Sequence, residues 1–254
     1  KTTTQLFLMI MASKLYDWKW LMYCPENEPI GDLMIDIAEM YCGKTADKEF
    51  NDRINQDEYI QAIEWAYNHF TVLTFDETPT VDEVLESFED FMQVEKFDGI
   101  SIDPLNDLKA PPKVSKYDYY YDALSNVRRF IKRHNVMFYL VVHPGTAANR
   151  RRNEDGTRPA PNMSDVEFGA MFGNRADNFL VFHRNPQSEK WNVTEIHAQK
   201  IKFQKLVGVP TPELTPVCLF YSYSLRRFRY LNENGTLIDP IQETITKTPT
   251  NKFF

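Results

Sequence analysis

The sequence predicts an α/β fold, a mostly parallel sheet with helices on both faces and antiparallel strands near the C-terminus. Three observations predict it. Short apolar runs bounded by breakers, WLMYC before Pro25, FTVLTF at 70–75, FDGISID at 97–103 and VMFYLVVH at 136–143, alternate with segments of helical period. These runs are apolar without a polar alternation, as expected of strands buried on both faces. After residue 173 the spacing tightens to NFLVFHR, NVTEIHAQKIK, TPVCLFYSYS and LRRFRY, hairpin-like strands expected to complete the sheet.

Each element has its own justification. TTTQLFLMIMASKLY spaces Leu6, Met9, Ile10 and Leu15 on one helical face, with threonines able to cap its start. WLMYC is too short for a helix and ends at a proline, hence a strand over about residues 19–24. PIGDLMIDIAEMY places Ile30, Leu33, Met34, Ile37 and Met40 at spacings of three and four, an amphipathic helix. Residues 56–69 also read as helix, and TVDEVLESFEDFMQVEK opens with Thr80 and, three residues on, Glu83, a capping box. A Pro-rich loop from Pro104 to Val114 leads into the helix YYYDALSNVRRFIKRH, whose tyrosines at helical spacing are expected in the core. Residues 145–161 are polar and punctuated by Gly and Pro, a long mobile loop, and loops of that length are usually functional or disordered. A short helix is expected from about Ser164 to Gly173.

Composition narrows the classes. With 43 % hydrophobic and 14 % aromatic residues in 254, the chain can fill a sizeable core, which excludes disordered and fibrous classes. The length fits one large domain or two small ones. Cys24, Cys42 and Cys218 have neither metal-ligand spacing nor a paired framework, which points to a reducing compartment. No apolar run is long enough to span a membrane and no signal peptide is present, so a cytoplasmic protein is expected, in a bacterial host's cytoplasm if viral. The first residue is Lys rather than Met, as expected of a piece of a longer chain. The net charge of −7 hides an asymmetry: residues 1–110 carry 8 basic and 23 acidic side chains, residues 111–254 carry 21 and 13. A basic second half suits a face that meets a polyanion, or two halves that pack charge against charge.

Three strands deliver titratable side chains to one sheet edge. In open α/β sheets ligands bind beyond the carboxyl ends of the strands. FDGISID ends in Asp103, which could hold Mg²⁺ through water, although aspartate also ends strands as a turn former. Glu26 in CPENEP could polarise a water for attack on a phosphate, or belong with Glu28 to a solvated acidic turn. His143 ends the next strand in VVHP. Lys1-Thr2, directly before a helix, has the form of the last two residues of a phosphate-binding loop, GxxxxGK[ST]. The lysine would then reach β/γ-phosphate oxygens and the Thr hydroxyl would ligate Mg²⁺, at helix N-terminal amides suited to anions.

In this order of signals, from Lys1 to about Tyr230, the chain resembles the RecA-like helicase domain of DnaB-type replicative helicases, the phage and mitochondrial (Twinkle-like) primase-helicases most closely. The resemblance implies a P-loop NTPase core over residues 1–230, with a C-terminal tail at 231–254. It places the phosphate-loop lysine and hydroxyl on Lys1 and Thr2, the catalytic glutamate on Glu26, the Mg²⁺ aspartate on Asp103 and the phosphate sensor on His143. MSDVEFGAMFGNRADNFLVFHRN resembles the family's DLRxSGAxxQxAD stretch through Asp165 and Asp177, with Glu167 and Gly169 replacing its Arg and Ser. The lysine-x-arginine pair that reaches a neighbouring subunit's nucleotide falls on Lys200 and Lys202, and RecA-type recombinases carry two lysines there. The loop after the sensor strand faces the channel in such rings, so Arg150, Arg151, Arg152 and Arg158, with Lys113 and Lys116, would follow a single-strand backbone unless they are only a solvated surface. The function implied is an ATP-driven (or other NTP-driven) DNA helicase motor using Mg²⁺, a homo-oligomer forming a hexameric ring on single-stranded DNA, with a primase as a further partner. The alternatives are a RecA-like recombinase or loader ATPase, and a nucleic-acid-binding ring that no longer hydrolyses nucleotide.

Overall fold

The computed structural model describes residues 2–186, 188–212 and 214–242. The helix α1 (Thr2–Tyr16) leads into β1 (Trp20–Tyr23), followed by α2 (Ile30–Cys42), α3 (Gln56–His69), β2 (Phe70–Leu73), α4 (Val81–Val94), β3 (Gly99–Ile102), α5 (Lys116–His134) and β4 (Met137–Leu140). The four strands form one parallel sheet in the order β2-β1-β3-β4, with Trp20 opposite both Phe70 and Gly99.

Alternation along β1 divides the core in two. Leu21 and Tyr23 face one side with Ile100 and Ile102, against Val84 and Phe88 of α4 and Leu124 and Val127 of α5. Trp20 and Met22 face the other side, against Leu6, Phe7, Met9 and Ile10 of α1 and Leu33, Met34 and Ile37 of α2. Burying a side chain of this size contributes about 1.5–3 kcal/mol relative to exposure. A Cβ on Gly99 would sit 2.1 Å from the Trp20 ring, so that strand position must be glycine for the tryptophan to lie flat. The boxed helix starts are as read: Asn55 and Thr80 each accept the N3 amide while Glu58 and Glu83 reach back.

The second half departs from expectation in three ways. The strands β5 (Asn178–His183), β6 (Val193–Ile201), β7 (Val217–Ser222), β8 (Arg227–Leu231) and β9 (Leu237–Ile238) do not extend the parallel sheet but form their own antiparallel sheet, β5-β6-β7-β8-β9. Its inner residues Leu219 and Phe228 enter the α1 side of the core, Phe228 meeting Phe7 edge-on at 5.4 Å, which is why α1 is buried on nearly all sides. Residues 145–161 are not a structureless loop. They hold α6 (Thr146–Arg150) and a turn in which Asp155 accepts from the Thr157 amide and hydroxyl, and Arg151 pairs with Asp165. The next helix, α7 (Gly169–Arg175), starts five residues later than expected, after a 3-10 turn at Met163–Asp165. The close approach of that turn explains two glycines, since a Cβ on Gly169 would lie 2.0 Å from the Met163 carbonyl oxygen and one on Gly173 1.8 Å from its Sδ.

A short helix, α8 (Gln204–Val207), follows β6. Beyond Tyr230, Ile241 is fully buried and Asp239 accepts from Arg227 at 2.8 Å. That arginine also donates to the Met40 and Tyr41 carbonyls at the end of α2, whose cap, Gly43, has a φ of 74°. Among the α5 tyrosines, Tyr119 and Tyr120 are core, but Tyr117 and Tyr121 are half-exposed, with Arg175 over the Tyr121 ring at 4.0 Å. Among the described residues no helix is long and apolar enough to cross a membrane.

Candidate functional site

The carboxyl edge of the parallel sheet meets the first turn of α1. The Thr2 hydroxyl donates to Asp103 Oδ2 at 2.8 Å. Asp103 is 2 % exposed, and its other oxygen, Oδ1, is buried without a protein partner. One turn further along α1 the amide of Gln5 donates to Ser101 Oγ inside the core, two residues before Asp103. Two polar contacts thus join α1 to β3 and the residue that follows it.

The neighbouring strands supply the rest. The Asp103 amide donates to the Tyr23 carbonyl at 3.0 Å, which holds the exit of β3 beside the exit of β1. There Cys24 leads into a 3-10 turn, Pro25–Asn27, that carries Glu26 to the surface. Burial, then the nearby Asp103 and Glu28 carboxylates, push the Cys24 thiol up to about 12, so it is inert as a nucleophile. Past β4, the His143 amide donates to Asn106 Oδ1 at 2.8 Å, and its ring Nε2 lies 3.9 Å from Glu26 Oε2. Thr2, Asp103, Glu26 and His143 therefore meet at one edge, as the strand ends implied. Lys1 lies outside the described residues.

The oxygen-rich character of this edge suits a hard cation with phosphate. Thr2 Oγ1 and the unpartnered Asp103 oxygen are hard donors, and an acceptor left bare in the interior is costly unless a ligand or water meets it. Among the described residues, no group of three or more His, Cys, Asp or Glu is placed to hold a metal ion. Beside Thr2 opens a cleft of about 330 Å³ lined by Asn27, Asp36, Arg184, Tyr221, Tyr223 and Arg226, so the second sheet reaches the Thr2 end of α1, while Asp103, Glu26 and His143 lie outside the lining. His183 also lines it, and burial lowers its pKa, favouring the neutral ring.

Lys200 and Lys202 are not part of this cluster within one chain. Lys200 donates to the Gly173 carbonyl at 2.8 Å, at the end of α7, and Lys202 pairs with Asp177 at 2.6 Å. The arginine segment is exposed and partly engaged: Arg151 pairs with Asp165, and Arg152 donates to the Asn149 carbonyl at 2.9 Å. Lys116 lies 3.6 Å from Glu167. Sequence reasoning missed Gln5, Ser101, Asn106 and the cleft residues. Gln5 had a usable signal, a polar side chain one turn after Thr2 at the start of the apolar run LFLMIMA.

No family model matches the chain. It is 27 % identical over 180 residues to the Twinkle homolog protein, chloroplastic/mitochondrial, of Arabidopsis thaliana, a match that covers 66 % of this chain. The match takes in 24 % of that relative's length, so the chain spans about a quarter of it. Among solved structures, an isolated ATPase domain superposes with a TM-score of 0.70 at 15 % identity, covering 91 % of this chain and 82 % of the other. A DnaB-like replicative helicase, described together with its interactions with primase, gives 0.66 at 14 % identity, covering 89 % and 55 %. The RadB recombinase gives 0.53 at 14 % identity, covering 89 % and 83 %. The fold is thus the RecA-like fold of DnaB-type helicase ATPase domains, and the sequence is Twinkle-like.

Proposed function

We propose that this RecA-fold chain is the nucleotide-hydrolysing motor of a replicative DNA helicase, working as a hexameric ring on single-stranded DNA. The Thr2–Asp103 contact carries the reading: a hydroxyl bonded to a buried carboxylate whose second oxygen has no protein partner. Thr2 and Asp103 are the residues that would hold Mg²⁺, Asp103 through water, and the ion when bound neutralises charge on phosphate oxygens. Lys1 would meet the β/γ-phosphates, and the cleft beside Thr2 would receive the rest of the nucleotide, whether ATP or another NTP. Glu26, exposed beside that edge, accepts the proton of an attacking water. His143, held by Asn106 and facing Glu26, reports phosphate state toward the segment that follows it. Lys200 and Lys202 serve the neighbouring copy, where developing negative charge needs a cation. Arg150, Arg151, Arg152 and Arg158, just after His143, follow the phosphates of the strand. Primase is a further proposed partner.

Two lysines at 200 and 202 also fit a recombinase or loader of the same fold, and unwinding of a forked duplex separates the two. The first test is phosphate release by the intact protein. Glu26→Gln keeps nucleotide affinity, since the phosphate contacts remain, and slows turnover by about 100-fold or more. Near-normal turnover would move the base elsewhere, with Glu28 next in line, and no phosphate release by the unaltered protein would leave a non-hydrolysing module.

A further inference from the structure

The far end of α1 holds a lysine with few polar partners. Lys14 lies about 18 Å from Thr2 along the helix at about 1.5 Å per residue, so it is no part of the candidate nucleotide site. Its Nζ donates to the Tyr41 carbonyl at 3.2 Å, one of the acceptors left open at the end of α2, and lies over the Tyr41 ring at 4.1 Å. Arg227 donates to the same carbonyl, so two cations share one acceptor. Lys19, Lys44, Lys96, Lys116 and Lys202 each pair with a carboxylate, whereas Lys14 pairs with none among the described residues. Asp17, the acid nearest in sequence, is taken by His69 at 3.0 Å.

The same lysine can be reached from outside. With Tyr16, Asp17, Tyr41 and Trp65 it lines a shallow cleft of about 550 Å³. Tyr41 and Trp65 stack with ring centres 3.9 Å apart, and Tyr16 is 64 % exposed. Burial and then Arg227 lower the Lys14 pKa to about 8, while Asp239 and Cys42 raise it by less. At pH 7 about a tenth of such amines are unprotonated, against fewer than about one in a thousand for an ordinary lysine.

We propose that Lys14 is an acylation site, its free amine taking an activated acyl group, carried by an acyl phosphate or an acyl thioester, that enters the aromatic cleft. The amine nitrogen attacks the carbonyl carbon. An N–C bond forms as the C–O or C–S bond breaks, phosphate or thiolate leaves with the electron pair, and the amine's proton passes to water. Ring walls suit an incoming acyl group better than a second charge. The amide product keeps one N–H for the Tyr41 carbonyl but gives up the charge over the ring and beside Arg227. Acylation therefore removes one of the two cations that meet at the end of α2.

The intact protein is treated at pH 7 with acetyl phosphate and, separately, with an acetyl thioester, and modification of each lysine is followed by peptide mass spectrometry at low conversion. Lys14 gains acetyl about tenfold faster than the exposed Lys48 and Lys132, the excess left once the weaker nucleophilicity of a weaker base is set against its larger free fraction. Unfolding in guanidinium removes the excess, because the cleft is gone. An excess with one donor names that donor as the source, and an excess with both makes the acyl group itself what the cleft accepts. No excess with either donor overturns the proposal, and so does an excess that survives unfolding, which would belong to local sequence. Full acetylation of Lys14 also abolishes the rise in urea midpoint between about pH 8 and 10.5. A rise that persists overturns the proposal too, because the amine losing its proton there would be another.

Discussion

Replacing Asp103 with asparagine separates a metal-holding carboxylate from a turn-forming one, because the two roles predict opposite responses. The side chain is buried, accepts the Thr2 hydroxyl at 2.8 Å through one oxygen and leaves the other bare. Asparagine has the same shape and retains a carbonyl to accept that hydroxyl. Exchanging a charge-assisted hydrogen bond for a neutral one loses about 1 kcal/mol, from about 1.5–3 to about 0.5–1.5. The asparagine NH2 takes the place of the bare oxygen and is unpartnered in turn, so the exchange relieves only the extra cost of burying a charge rather than a neutral group, about 1 kcal/mol or more. Without ligand, Asp103→Asn is therefore within about 1 kcal/mol of the parent, the small cost expected where a residue serves binding rather than folding. With ligand the two separate. Mg²⁺-nucleotide at 100 times its Kd stabilises the parent by about 2.7 kcal/mol through mass action, and the variant gains little of this. Urea unfolding followed by circular dichroism, with and without Mg²⁺-nucleotide, reads both quantities. A variant destabilised by more than about 1 kcal/mol without ligand, yet stabilised by nucleotide as the parent is, would refute the reasoning and leave Asp103 a structural turn residue.

Neutralising Arg150, Arg151 and Arg152 weakens single-strand binding with little dependence on base sequence. It flattens log affinity against log salt by about 0.7 per lost phosphate contact, and an unchanged slope would make these arginines solvated surface. Lys14, lowered to about 8 by burial and then by the nearby Arg227, gives a pH dependence. Its folded pKa is below its unfolded one, so between about pH 8 and 10.5 the unfolded chain binds more protons and stability rises with pH. Urea midpoints across that range should rise for the parent and stay flatter in Lys14→Met; parallel curves would place the titration elsewhere.

Local signals carried the first half of the molecule and non-local ones the second. The boxed caps at Asn55 and Thr80 are contained within four residues, and the structure starts α3 and α4 there. The parallel strands were legible because burial on both faces leaves an apolar run. In β5, by contrast, Phe179 and Val181 are buried while Asn178 and Leu180 are exposed. That alternation shows a one-sided strand but not which strand it pairs with, and the expected closure onto the parallel sheet was therefore replaced by a separate sheet. Residues 145–161 have no apolar period, so their order comes from contacts a pattern cannot carry, such as Arg151 with Asp165 and Asn185 with the Arg158 backbone. The strand-end acids and histidine of the site were legible for the opposite reason: topology alone brings parallel strands' carboxyl ends together.

What the sequence pattern could not convey is where folding is left incomplete. Six buried side-chain atoms among the described residues have no hydrogen-bond partner within the protein, and four of them belong to Gln5, Asn27, Asp103 and His143, all in or directly beside the proposed site. A folded chain leaves few such atoms, and their concentration marks a place where the protein alone does not satisfy its own polar groups. The rest of α1 shows what satisfaction looks like. At its far end the Trp20 indole donates to the Met9 carbonyl and to Ser13 Oγ, each at 3.2 Å, and Ser13 donates to the Trp18 carbonyl at 2.8 Å. The same helix is thus closed at the end away from the sheet's carboxyl edge and open at the end that meets it. A turn-forming Asp103 gives no reason for that asymmetry, whereas a ligand at the proposed Thr2 site would offer Asp103 a partner on the open side.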